Sequence, residues 1–181
     1  MLLMKRSKKL AICASFAALS VVLMLLTGII PVLTYAIPAL AGLILTIIVI
    51  EINKKWAVAV YFAVAAISVI IVPDKEAVAM YIAFFGYYPI IKSVLESKLP
   101  IVVEYIVKFL LFNISMVVSY CFLIFVLGLN LGEDLAVIGK WFFPSLLAAG
   151  NVFFFLYDYA MTKLITVYNM VWSKLLYRIF K

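Results

Sequence analysis

The sequence predicts an all-α integral membrane protein, a compact bundle of six transmembrane helices with both termini on the cytoplasmic side. Three observations lead there: the composition, the interval at which charges interrupt apolar runs, and the uneven distribution of cations along that interval. Hydrophobic residues make up 69% of the 181 residues and charged residues 13%, whereas soluble domains are roughly 45–50% apolar and about 25% charged. The mean hydropathy is +1.28. A chain of this length is expected to form one membrane domain with no room for a soluble catalytic domain.

A spanning helix needs roughly 20 mostly apolar residues, and the charges cut the chain at nearly that spacing. The expected spans are about 10–30, 32–52, 56–72, 77–95, 101–127 and 135–167. Gly28 and Pro31 end the first, and Pro38 is expected to break the second near its start. The third stops at "PDKE" (Pro73–Glu76), the fourth carries "FFGYYP" (Phe84–Pro89), and the fifth ends in the turn "GLNLGED". A basic amphipathic tail over 168–181 follows the sixth, with the composition of an interfacial helix. The run from Leu10 to Ile30 is longer than the apolar core of a cleaved signal peptide and leads into further spans.

Cations orient the bundle. With the N-terminus inside, Lys5, Arg6, Lys8, Lys9, Lys54, Lys55, Lys92, Lys98, Lys163, Lys174, Arg178 and Lys181 fall on the cytoplasmic side, and only Lys75 and Lys140 fall outside. That bias is the positive-inside pattern. The net charge of +7 therefore reflects topology rather than nucleic-acid binding. Cys13 and Cys121 both lie in apolar runs at different depths, and are expected as packed thiols rather than a disulfide.

The segment "KRSKKLAICASFAALSVVLMLL" (Lys5–Leu26) places Ala11, Ala14, Ser15 and Ala18 on one side of a helix. Between helices in lipid, association depends on close backbone approach, which small residues permit. The stripe fits packing within the chain, as does a similar strip at Ala59, Ala63 and Ala66 in the third span. It also fits docking of a separate subunit, because it lies in the cytoplasmic half of the first helix beside a basic entry.

Lys8–Lys9, then Ala14-x-x-x-Ala18, then "TGIIPVLTYAIPALAGLIL" at Thr27–Leu45, within six spans in under 200 residues, resemble the substrate-binding (S) components of energy-coupling factor transporters. The resemblance covers the whole chain as a hydropathy plan. It implies a multi-pass protein of a bacterial plasma membrane that captures a vitamin or similar micronutrient from outside. It further implies a transmembrane coupling subunit, driven by two cytoplasmic ATPases, that contacts the first-helix alanines. Ala11, Ala14, Ser15 and Ala18 would then be docking residues. No substrate fingerprint accompanies the resemblance, and the absence of histidine argues against the nickel and cobalt members.

Candidate solute-binding residues are the polar and aromatic groups in the outer half of the spans: Thr34, Tyr35, Tyr81, Asn130, Lys140, Trp141, Ser145 and Asn151. Thr34 and Tyr35 sit where the helix is interrupted between Pro31 and Pro38, and irregular backbone at membrane depth must line protein or a cavity. Trp141 also fits an interfacial anchor, Lys140 a snorkelling cation, and Asn151 a helix–helix hydrogen bond. The "FFGYYP" cluster fits packing together with an inner aromatic girdle, with a ligand site as the alternative. Glu104 and Lys108, four apart with the acid first, are expected as a surface pair near the inner interface, with a coupling role as the alternative. Asp158 is expected in the inner part of the sixth helix, with Lys163 about one turn beyond.

Catalysis is not expected. Without histidine there is no H-E-x-x-H metal motif, and no G-x-S-x-G elbow, P-loop or dinucleotide fingerprint is present. No cofactor or metal is called for, and active transport would draw its energy from another chain. The alternative function is a membrane scaffold resembling the rod-shape proteins of cell-wall elongation. A small ion-coupled transporter fits less well, because the spans show no clear inverted repeat.

Overall fold

A computed structural model of the chain describes residues 5–125, 142–168 and 170. Among these residues every regular element is helical. The order is α1 (Arg6–Leu26), a 3₁₀ turn (Pro31–Leu33), α2 (Ala36–Glu51), α3 (Lys54–Ile71), α4 (Lys75–Met80), a π turn (Tyr81–Phe85), α5 (Tyr88–Lys98), α6 (Ile101–Phe125) and α7 (Phe142–Val167). Among the described residues, four stretches are long and apolar enough to cross a membrane: α1, α3, α6 and the continuous unit Lys75–Lys98. The chain thus has the build of an α-helical membrane protein.

α2 is the central helix. It packs against α1, α3, α5, α7 and the π turn, and buries Ile37, Ala41, Leu45 and Ile48 at helical spacing. Pro38 does not break it. The proline occupies the first turn, where its missing N–H removes no intrahelical bond. The interruption lies earlier. α1 stops at Leu26, Thr27 Oγ1 donates to the Met24 carbonyl at 2.8 Å, and the chain turns through Pro31–Leu33 before α2 begins.

The "PDKE" corner caps two helices. Lys75 Nζ donates to the Val69 and Val72 carbonyls at 2.9 Å each, placing a cation at the C-terminus of α3. Asp74 Oδ1 accepts from the Ala77 N–H at 3.0 Å and caps α4.

"FFGYYP" forms core rather than a girdle: Phe84, Phe85 and Tyr88 are fully buried. The Phe84 ring stacks on Tyr88 at 4.6 Å and meets Phe112 edge-on at 5.1 Å, while Phe112 stacks on Phe154 at 4.9 Å. The preceding π turn carries the Gly86 N–H to Tyr81 O bond at 2.8 Å, and the Tyr61 hydroxyl donates to the Ile82 carbonyl at 2.8 Å. Gly42 makes this approach possible. A Cβ there would stand 2.3 Å from the Phe85 carbonyl oxygen, so any side chain would force α2 and the π turn apart.

The two ends of the bundle differ in charge. One end gathers the start of α1, the α2–α3 corner, the end of α5 and the last residues beyond α7. There Lys54 Nζ donates to the Ser93 carbonyl at 3.3 Å, and the Tyr168 hydroxyl to Glu51 Oε1 at 2.8 Å. We call this the basic end. The opposite, acidic end carries Asp74 and Glu76. Of the tail over 168–181, Tyr168 and Met170 are described, and Tyr168 is buried. Both cysteines are free thiols; Cys13 is packed as expected, whereas Cys121 is exposed on α6.

Candidate functional site

At the acidic end, α6 and α7 part around a cavity of about 190 Å³. Its wall comes from Tyr35 at the head of α2, Phe85 of the π turn, Phe112, Met116 and Tyr120 of α6, and Leu146, Leu147, Ala149, Gly150 and Phe153 of α7. The spacing explains the wall. Phe112, Met116 and Tyr120 recur every four residues on one face of α6, and Ala149 and Gly150 offer almost no side chain opposite them.

The polar rim is a three-residue cluster. The Tyr35 hydroxyl donates to Glu76 Oε1 at 2.5 Å, and the Tyr120 hydroxyl reaches the same oxygen at 3.1 Å. The two phenols stand 2.7 Å apart. Beside them Thr34 Oγ1 donates to Asp74 Oδ2 at 3.0 Å. The 3₁₀ turn and the "PDKE" corner thus converge on one spot.

Of the eight residues the sequence singles out, Tyr35 lines the cavity and Thr34 supports its rim. Tyr81 is fully buried away from the cavity, 6.1 Å from the Tyr61 ring between centroids, and its hydroxyl has no partner among the described residues. Asn151 makes the helix–helix contact: Asn113 and Asn151 exchange amide hydrogen bonds of 2.9 and 3.1 Å. Ser145 is exposed and does not line the cavity. Asn130, Lys140 and Trp141 lie outside the described residues.

Sequence reasoning missed Glu76, Tyr120 and the wall residues of α6 and α7; Phe85 belongs to the "FFGYYP" cluster, for which a site is the alternative reading. The four-residue spacing of Phe112, Met116 and Tyr120 was a usable signal. Glu76 carried none, because its loop spoke only to topology.

A second constellation fills the basic end. Lys92 Nζ lies 2.5 Å from Glu96 Oε1 and 2.6 Å from Asp158 Oδ1, and donates to Thr162 Oγ1 at 2.9 Å. Lys108 Nζ lies 2.6 Å from Glu104, 2.9 Å from Glu96 and 3.4 Å from Asp158. The Tyr88 hydroxyl completes the set, donating to Asp158 at 2.5 Å. The expected surface pair Glu104–Lys108 is therefore corrected to a buried one. Both lysines are 1% exposed and Glu104 is 9% exposed. The reason is tertiary: α5 and α7 bring Lys92, Glu96 and Asp158 onto the same face. Lys163 is not a member; its ammonium lies 5.4 Å from the centre of the Tyr159 ring. Among the described residues no group of carboxylate, cysteine or histidine ligands could hold a metal ion.

The alanine stripe is uncovered. Ala11, Ala14, Ser15 and Ala18 are all exposed, while Cys13, Ser20 and Met24 on the opposite face of α1 enter the core. Ala14 and Ala18 of α1, with Ala59 and Ala63 of α3, line an open groove of about 600 Å³.

No protein-family model, curated protein or solved structure matches the chain. The functional reading rests on geometry.

Proposed function

We propose that this chain is the substrate-capture subunit of a multisubunit importer of the energy-coupling factor kind, spanning a bacterial plasma membrane six times with both termini cytoplasmic. The observation that carries the reading is the aromatic cavity between α6 and α7, with its polar rim at the acidic end of the bundle. With the basic end in the cytoplasm, as the positive-inside pattern requires, the cavity faces outward and the buried ion cluster lies inward beneath it. α2 and α7 complete the count of six with the four long apolar helices. A small organic solute would enter at the rim, and the ion cluster would keep the inner route shut.

The uncovered alanines support the second half of the proposal. A groove of small residues, near the basic end and between two apolar helices, suits a partner helix that packs by close backbone contact. Docking of a coupling subunit at Ala11, Ala14, Ser15 and Ala18, with two ATPases behind it, would supply the work. A purely structural scaffold needs no cavity.

The deciding experiment is gentle solubilisation of the tagged protein from its native membrane, followed by mass spectrometry of co-purified proteins and of small molecules released on denaturation. A membrane coupling subunit with two ATPases is the expected catch. Recovery of cell-wall proteins, without an ATPase or a retained solute, would replace the importer by the scaffold. Ala14→Trp with Ala18→Trp should abolish the partner association. Both sites are exposed, so stability should stay within about 0.5 kcal/mol of the parent.

A further inference from the structure

The cavity has a chemical sign, and proton bookkeeping at its rim gives it. Each phenol has one proton to donate. Tyr35 gives its proton to Glu76, and Tyr120 has Glu76 Oε1 and the Tyr35 oxygen within reach. However these three contacts share the protons, both are spent among Tyr35, Tyr120 and Glu76. Whatever part of the two phenol oxygens meets the cavity therefore presents lone pairs and no hydrogen.

The remaining wall agrees with this sign. Among the described residues, five aromatic rings (Tyr35, Phe85, Phe112, Tyr120 and Phe153) line the space, and no lysine or arginine does. Aromatic faces carry negative quadrupole charge and attract cations. Among the described residues, neither Asp74 nor Glu76 forms an ion pair. Lys75, which stands between them in the chain, spends its ammonium on two carbonyls of the α3 corner. An anion would meet π faces, lone pairs and a carboxylate one hydrogen bond behind them. A cationic nitrogen carrying methyl or methylene groups would meet favourable partners on the aromatic and phenolic sides, and its alkyl groups would pack against the aliphatic remainder.

We infer that the cavity selects a small organic cation of the substituted-ammonium class, with Tyr35 and Tyr120 touching it and Glu76 acting through them as a positioning residue. This rests on the reading of the cavity as the capture site, and names the class of its solute. The volume of about 190 Å³ sets the scale at a choline-sized head rather than a large heterocycle.

The test compares three probes of one shape: choline, its neutral isostere with a tert-butyl carbon in place of the ammonium, and the tert-butylacetate anion. Binding to the full chain in nanodiscs is read by calorimetry, with bound solute from native membranes read by mass spectrometry. Choline should bind at least about tenfold more tightly than the neutral isostere, a difference of about 1.4 kcal/mol, and the anion should not bind. Glu76→Gln keeps an acceptor for the phenols but removes the charge, so it should shrink the cation-to-neutral affinity ratio. Tyr120→Phe should lower the same ratio and serves as the second variant if Glu76→Gln fails to fold. Equal binding of choline and its isostere, preference for the anion, or release of an anionic native solute would overturn the cation class while leaving solute capture intact. Failure of all three probes together with an empty native extract would overturn both. Release of a native organic cation, lost in Glu76→Gln, would support both.

Discussion

The same two helices, α6 and α7, part at one end and lock at the other. Toward the acidic end Phe112, Met116 and Tyr120 face Leu147, Gly150 and Phe153 across an open cavity. Toward the basic end Lys108 and Asp158 meet within a network that also holds Lys92, Glu96 and Glu104. Between them Asn113 and Asn151 exchange two amide bonds. The difference follows residue size and charge. Glycine and alanine opposite aromatic rings leave a hole, whereas long side chains of opposite charge, carried by three helices, fill one. An empty end beside a latched end is what a chain needs if it is to hold a solute on one side of a membrane without leaking it to the other.

The sharpest way to break the contrast is to remove one cation from the latched end. Lys108→Met would leave Glu104 buried without its partner at 2.6 Å and take a second ammonium from Asp158. Stranding a buried charge costs about 3–5 kcal/mol, so thermal unfolding in nanodiscs should show a loss of that order. Adding Glu104→Leu removes the stranded carboxylate and should recover much of it, because apolar residues often replace a buried pair without loss. Asp158→Asn should be milder than Lys108→Met. Lys92 would keep Glu96, Lys108 would keep Glu104, and the amide oxygen would still accept from Tyr88. If the two single variants cost the same, the network is not organised around Lys108 as its geometry indicates.

This network also marks the limit of what the sequence tells. The helices were legible because their signal is local: apolar runs of spanning length, cut by charge and proline. Tyr35 was legible for a similar reason, since Pro31 and Pro38 announce an interruption and a tyrosine stands inside it. Glu104 and Lys108 gave only their mutual spacing, which says that they share a face of α6 and not what that face touches. Burial came from Lys92, Glu96 and Asp158, whose sequence distances from Lys108 range from a dozen residues to fifty. The π turn was hidden as well. The turn at Tyr81–Phe85 packs against Gly42 of α2, a contact between two helices that no local pattern announces.

That approach offers the next perturbation. Gly42→Ala would press a methyl group to 2.3 Å from the Phe85 carbonyl oxygen, and overpacking of this kind costs about 1–3 kcal/mol. Phe85 is part of the cavity wall, so the variant should weaken solute binding as well as stability. Gly150→Ala is its control. There the nearest atom to a new Cβ is Phe112 Cζ at 3.3 Å, a ring that can give by a few tenths of an ångström. Stability should change less than in Gly42→Ala, while the cavity itself becomes smaller. A Gly150→Ala protein as unstable as Gly42→Ala would mean that α7 is packed against Phe112 as tightly as α2 is against Phe85, and the cavity would not be the loosely filled region its wall suggests.

The smallest expected effect lies at the midpoint. Asn113 and Asn151 join α6 to α7 where the hollow end meets the latched end, and hydrogen bonds between membrane helices average only about 0.6 kcal/mol. A double-mutant cycle on Asn113→Ala and Asn151→Ala should return a coupling near that value by thermal unfolding. Its interest lies in solute binding. With the ion network intact below, loss of the amide pair frees only the upper halves of the two helices. Affinity should then fall further than stability does. If the two fall in parallel, α6 and α7 move as one rigid pair, and the cavity is fixed by the whole seam rather than by its upper half.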